Sequence, residues 1–170
     1  MTQFDILVAG GRLRGRGEHS FDIGIREGRI HAIEPKLSRE GDLTVEANGN
    51  LVTESFANPH LHLDKVFTLA MLDDQAMQDY HGEAMGKAMN AIERASKVKE
   101  SYDRGWIIDN VRRALRWAAR NGNTHIRAFA DVDSKSKLEG VAALLQAREE
   151  FRGVVELQVV AFPQDGVIRE

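Results

Sequence analysis

The sequence has 170 residues, a formal net charge of −3, 42% hydrophobic and 29% charged residues, and no cysteine. That is long enough to bury a core and too apolar for a disordered chain, and a near-balanced charge leaves no basic footprint for nucleic acid. A disulfide framework, a thiolate metal site and a cysteine nucleophile are excluded, and no long uncharged apolar run suggests a membrane span. Met1 to Gly10 lacks the basic flank and small-residue cleavage site of a signal peptide, so a reducing cytoplasm is the expected compartment.

The first fifty residues read as strands. Phe4, Ile6 and Val8 lie at alternate positions until Gly10-Gly11 breaks the run. Phe21, Ile23 and Ile25 alternate next, Glu27-Gly28-Arg29 is turn chemistry, and Ile30 and Ile33 follow. The pattern predicts a hairpin in an antiparallel sheet with one apolar and one wet face. Leu43–Val45 and Leu51–Val52 add short strands around an Asn48-Gly49-Asn50 turn.

The periodicity changes near residue 55. Residues 69–99 predict a helix with Met85, Met89 and Ile92 on one face. Ser101 to Arg120 predicts a second, capped by Ser101, with Asp103 at its positive end and a stripe of Ile107, Val111, Leu115 and Ala118. Asn121-Gly122 stops it. A strand follows over 124–132. A third helix runs from about Ser136 to Phe151, with Leu138, Val141, Leu145 and Arg148 along one side. The last strand, 154–162, is apolar enough to be buried on both faces. Strands first, then strand–helix alternation, predicts an α/β chain whose second part is built of parallel βαβ units.

His60-Leu61-His62 is the most informative tripeptide. In a strand, residues two apart share a face, so two imidazoles can reach one cation such as zinc or iron. Asp64 continues the alternation in a supporting role, and Lys65 is a nearby cation. Spacing alone favours a surface or core pair over a metal site, and two ligands fall short of the three protein ligands usual in a catalytic zinc site. His19, His31 and His81 read as surface residues, and His125 opens a strand at its N-terminal end. Asp131 and Asp133 close a strand and read as helix caps or solvated loop acids. Gln164, in Phe162-Pro163-Gln164-Asp165-Gly166, either offers a donor and an acceptor to an amide-like ring edge or belongs to an ordinary turn.

Four segments carry a resemblance: FDIGIREGRIHAIEP, GNLVTESFANPHLHLDK, IRAFADVDS and LQVVAFPQDG. In that order and spacing they resemble the N-terminal part of the amidohydrolase superfamily, on the side of cytosine deaminase and N-isopropylammelide isopropylaminohydrolase. The resemblance implies that residues 1–54 form the N-terminal part of a small β-sandwich. Residues 55–170 then form the first βα units, about three strands, of a TIM-type (β/α)8 barrel. It implies that His60 and His62 hold one divalent metal ion, zinc or iron, and that Gln164 contacts the substrate ring. The chain departs from the family at Ala128-Phe129, where Thr-His is common, and Lys65 follows the ammelide-hydrolase pattern.

The activity implied for the parent enzyme is metal-dependent hydrolytic deamination of a small amino-substituted N-heterocycle, a cytosine-like pyrimidine or an aminotriazine. Neither nucleic acid nor membrane is an expected partner, and the parent is a candidate homo-oligomer. A whole barrel needs about 250 residues, so the chain is expected to be an N-terminal portion without turnover of its own. Two alternatives stay open: a parent that hydrolyses a cyclic amide, and a non-catalytic α/β module that binds a partner through an open sheet edge.

Overall fold

The computed structural model describes residues 4–38, 40–68 and 97–164. The helix expected over 69–99 lies outside the described residues, apart from a short 3-10 turn at Lys97–Ser101, as do His81, Asp165 and Gly166. The chain divides into two compact units, Met1–Glu54 and Ser55–Glu170.

The first unit is a five-stranded sheet. Strands β1 (Phe4–Leu13), β2 (Ser20–Arg26), β3 (Arg29–Glu34) and β4 (Gly41–Glu46) are ordered β3-β2-β1-β4, and β5 (Leu51–Val52) pairs with the far end of β1. The β2–β3 hairpin turns where expected. Glu27 and Gly28 both have positive φ, the geometry whose twist suits two-residue hairpins. The sheet is not wholly antiparallel, however: β4 and β5 both run parallel to β1. Two successive returns to one central strand are set by long-range pairing, which alternation cannot reveal.

Gly10-Gly11 does not end β1 either. Gly10, at φ 65°, sits in a bulge between Val8 and Gly11, and the strand continues to Leu13. Asp22 fixes this bend, accepting from the Gly10 amide with one oxygen and the Leu37 amide with the other, each at 2.9 Å. Phe4, Leu7 and Ile23 are buried together with Ala47. Gly24 lies under the Phe4 ring, and a Cβ there would collide with three ring carbons. Gly24→Ala is therefore expected to displace Phe4 and cost about 1–3 kcal/mol, read as a lowered urea midpoint.

The second unit is a parallel three-stranded sheet, β6 (Phe56–Leu61), β7 (Asn123–Asp131) and β8 (Glu156–Phe162), in that spatial order. Helices α1 (Arg104–Arg120) and α2 (Glu139–Glu150) precede and follow β7. One continuous core joins Ile107, Val111 and Leu115 of α1 to Ile126 and Ala128 of β7, Leu144 of α2 and Leu157 of β8. The α1 stripe is as expected, but the cap is Asp103. Its carboxylate accepts from the Gly105 and Trp106 amides, whereas Ser101 ends the 3-10 turn and uses its carbonyl to accept from the Trp106 indole.

Two expectations fail in α2 and β8. The buried face of α2 is Gly140, Ala143, Leu144 and Ala147, one residue round from the expected stripe, and Leu138 is 65% exposed. Five consecutive apolar residues, 141–145, blur the periodicity, and packing selects the face whose small side chains let the helix close on the sheet. β8 is buried on one face only. Leu157 points into the core while Glu156 and Gln158 are exposed, because the described helices cover a single side of the sheet.

Candidate metal centre

Parallel pairing aligns the C-terminal ends of β6, β7 and β8, and the chemistry gathers there. His62 follows the last residue of β6, Asp64 lies in the 3-10 turn Leu63–Lys65 beyond it, and Asp131 ends β7. One ligand-type atom from each lies within 4.8 Å of the others. His62 Nδ1 is 3.7 Å from Asp131 Oδ1 and 4.0 Å from Asp64 Oδ1. All three atoms are buried and lack a hydrogen-bond partner among the described residues. Unsatisfied buried polar atoms are rare, and here three converge on one point. Their spacing approaches that of donors around one ion held at about 2.1 Å.

The other carboxylate oxygens are held. Asp64 Oδ2 accepts from the Tyr102 hydroxyl and from the Asp131 amide, each at 2.9 Å. Asp131 Oδ2 takes the ammonium groups of Lys65 at 2.8 Å and Lys99 at 2.9 Å. Each acid is thus anchored by one oxygen and presents the other, the orienting arrangement that supports metal ligands. Lys99 also reaches Asp133 at 3.0 Å, and Asp133 accepts from the Lys135 and Ser136 amides.

The electrostatics follow. Burial, then the Lys65 ammonium, pushes His62 below the usual histidine range, which favours the neutral, ligating imidazole. Burial pushes Asp64 up, against its hydrogen bonds and Lys65. Burial and the neighbouring Asp64 also push Tyr102 up, so its hydroxyl stays protonated and donates. Burial alone would raise Asp133, but the Ser136 and Lys99 hydrogen bonds outweigh it and hold the carboxyl at about 2.

His60 and His62 share a face, as strand alternation requires, with Leu61 turned to the core. Their rings sit 5.2 Å apart in an edge-on arrangement, and His60 is exposed and tilted over Phe129 at 4.3 Å. Phe162 closes on His62 at 5.4 Å and on Phe129 at 5.5 Å. Gln164 reaches the cluster through Lys65, whose ammonium donates to Oε1 at 2.6 Å. His125 lies at the opposite, N-terminal end of β7, as expected, and hydrogen-bonds to Thr124.

The correction concerns Asp131. A helix cap or solvated acid was expected, and a fully buried carboxylate between two lysines is found. Asp133 keeps a turn-capping role. Tyr102 and Lys99 were not foreseen as site residues. Neither belongs to a sequence motif, and both come from the segment just before α1 that only the fold brings to β7.

The fold and the cluster define an α/β protein with an imidazole and two carboxylates at the C-terminal ends of parallel strands. No family model matches the sequence. N-isopropylammelide isopropyl amidohydrolase of Pseudomonas sp. (strain ADP) is 32% identical over 165 residues, which cover 96% of this chain and 39% of that protein. Among solved structures, N-isopropylammelide isopropylaminohydrolase from Burkholderia multivorans superimposes with a TM-score of 0.70 at 29% identity, over 97% of this chain and 39% of that one. The 5-methylcytosine deaminase from Klebsiella pneumoniae, liganded with phosphonocytosine, gives 0.73 at 26% identity, over 96% and 38%. These findings relate the chain to the amidohydrolase superfamily, whose N-terminal part it matches. The chain spans about two fifths of the length of these relatives.

Among the described residues, no helix is long and apolar enough to cross a membrane.

Proposed function

We propose that this chain carries the first part of the active site of a metal-dependent hydrolase that removes an amino or alkylamino group from a small N-heterocycle. In this reading β6, β7 and β8 are the first strands of a (β/α)8 barrel, and the sheet of residues 4–52 belongs to a small β-sandwich. The observation that carries the reading is the convergence of His62 Nδ1, Asp64 Oδ1 and Asp131 Oδ1, buried and without a hydrogen-bond partner among the described residues, at the strand ends where barrels of this kind keep their chemistry. The relatives' names supply the substrate class: two act on N-isopropylammelide and one on 5-methylcytosine.

His62, Asp64 and Asp131 would hold one divalent ion, zinc or iron by the imidazole and carboxylate donors, with His60 on the same face as a further candidate ligand. A bound ion of this kind supplies Lewis acidity and lowers the pKa of water to about 7. The residues do the rest. Lys65 and Lys99 hold Asp131 and offset its charge, and Tyr102 aims Asp64. The rings of Phe129 and Phe162 make an apolar flank beside the histidines, and Gln164 stands at the rim to meet a ring edge.

The test is calorimetric titration of the 170-residue chain with Zn2+ and with Fe2+ under argon. Saturable binding at one ion per chain is expected, abolished by His62→Ala. Tyr102→Phe, which leaves Asp64 one anchor, should weaken binding by about 10- to 100-fold with the fold intact by circular dichroism. Binding unaffected by His62→Ala would remove the reading. Amine release from aminopyrimidines and alkylaminotriazines is expected only when this chain is joined to the remainder of a barrel. Turnover by the 170 residues alone, tracking metal content, would contradict that partition.

A further inference from the structure

Phe67 stands in a backbone conformation that bulky residues avoid. Its φ is 62°, and Val66 before it lies at φ −63°, ψ 142°. Those are the states of the two central positions of a type II turn, the second of which favours glycine because a Cβ is crowded there. Glu27, Asn48 and Lys137 are the other described non-glycine residues at positive φ, and none of them carries an aromatic ring. The turn follows directly on the candidate centre. Lys65, at its first position, holds Asp131 Oδ2 at 2.8 Å, and Asp64 immediately precedes it. The Thr68 hydroxyl donates to the Lys65 carbonyl at 2.7 Å and closes the turn.

A strained backbone persists only where its surroundings over-determine it. Here the ring of Phe67 supplies the hold. The Arg113 guanidinium lies over that ring, 4.3 Å from its centroid, and the Trp117 ring meets it edge-on at 5.5 Å. Arg113 covers Trp117 as well, at 4.9 Å. The two residues are four apart on α1, so the helix presents them side by side. We infer that Phe67 is a positioning residue: gripped by Arg113 and Trp117, it keeps the Lys65–Thr68 turn in its left-handed state and so fixes Asp64 and Lys65 where the metal ion needs them. This rests on the proposed reading that Asp64 and Asp131 hold the ion, and it adds the residues that hold the turn behind them. Only molecules with the turn latched present the donor set ready-made, so apparent metal affinity falls with the latched fraction.

The experiment titrates the 170-residue chain with Zn2+ and compares Phe67→Ala with Phe67→Gly. Both remove the ring, but only alanine keeps the Cβ that the left-handed state penalises. Phe67→Ala should weaken zinc binding by roughly tenfold, the population cost of that state for a residue with a Cβ. Phe67→Gly should return most of the affinity. A ring that merely packs predicts the opposite order, because glycine loses more side chain and more chain entropy than alanine. Arg113→Ala should weaken binding when Phe67 is present and change little in the Phe67→Gly chain, which has no strain to offset. The coupling between the amide and α protons of residue 67, read by NMR, reports φ directly and should move away from its wild-type value in Phe67→Ala. Arg113 and Trp117 are exposed and the buried stripe of α1 is untouched, so circular dichroism should show the helices intact.

Zinc affinity restored by glycine and not by alanine, with the coupling moved in Phe67→Ala, supports the inference. Alanine binding as tightly as glycine or more tightly, or both variants binding like the wild type, overturns it while the proposed metal centre stands. A wild-type chain that binds no zinc removes the proposed centre and the positioning role with it, whatever the coupling at residue 67 shows.

Discussion

Replacing Asp131 with alanine is expected to destabilise the chain by about 3–5 kcal/mol and to abolish metal binding. The carboxylate is fully buried, and two ammonium groups converge on its Oδ2. Lys99, only 4% exposed, would lose a carboxylate it pairs with at 2.9 Å and keep Asp133 at 3.0 Å. Among the described residues, Lys65 would keep the neutral amide of Gln164 as its side-chain partner. The cost is chiefly that of uncompensated buried charge and not the net worth of the original pairs, so it depends on which partner is removed. The double variant Asp131→Leu with Lys99→Met should recover part of the loss, because it removes a buried ammonium along with its counter-charge. Urea unfolding with an unchanged slope and a lowered midpoint is the readout. A loss under about 1 kcal/mol would mean that both lysines reach water in the variant.

The second large effect separates two neighbouring residues. Leu144→Ala is expected to cost about 2–5 kcal/mol, whereas Leu145→Ala should stay under about 1 kcal/mol. Leu144 has no exposed surface and packs into the core shared by both helices and the sheet, while Leu145 is 39% exposed. Truncating the first leaves a cavity among fixed neighbours, and truncating the second exposes little that was dry. Alanine's helix propensity slightly favours both variants, so the difference reports packing alone. A larger cost for Leu145→Ala than for Leu144→Ala would show that α2 sits on its expected face and not the observed one.

These two tests fall where sequence and structure part company. Periodicity identifies α2 as a helix, since its length and composition leave little else. It does not identify the buried side, because the run 141–145 offers apolar atoms in nearly every direction. What decides is close approach. A Cβ on Gly140 would sit 3.0 Å from the Asp64 Cβ and 3.4 Å from that of Ala130, so the first turn of α2 lies directly against the residue that aims into the cluster. The packing of α2 and the placing of Asp64 are one event. The same limit explains β4 and β5, whose strand character is legible and whose parallel pairing with β1 is not.

The candidate site was half legible. His60-Leu61-His62 announces itself, since strand geometry alone puts both rings on one face, and the surrounding segment carries the family resemblance that the relatives support. The residues around Gln164 left it between a ring-edge contact and an ordinary turn, and only the resemblance chose the first. Asp131 was seen and misread, because an acid at a strand end is usually solvated. Its burial depends on Lys65, sixty-six positions earlier, and on Lys99. Tyr102 and Lys99 carried no signal at all.

By itself, then, the sequence determined local matters: where strands alternate, where Glu27-Gly28 must turn, which stripe of α1 is apolar, and that two imidazoles share a face. Each follows from backbone sterics and the fixed periods of helix and strand, which act between residues a few positions apart. Only the tertiary structure decided that three strands run parallel with their C-terminal ends together, that Asp131 is dry and doubly paired, and that Gln164 meets Lys65. Those depend on charges and packing surfaces that meet across long stretches of chain, where burial strengthens each pairing and no local pattern records the partner.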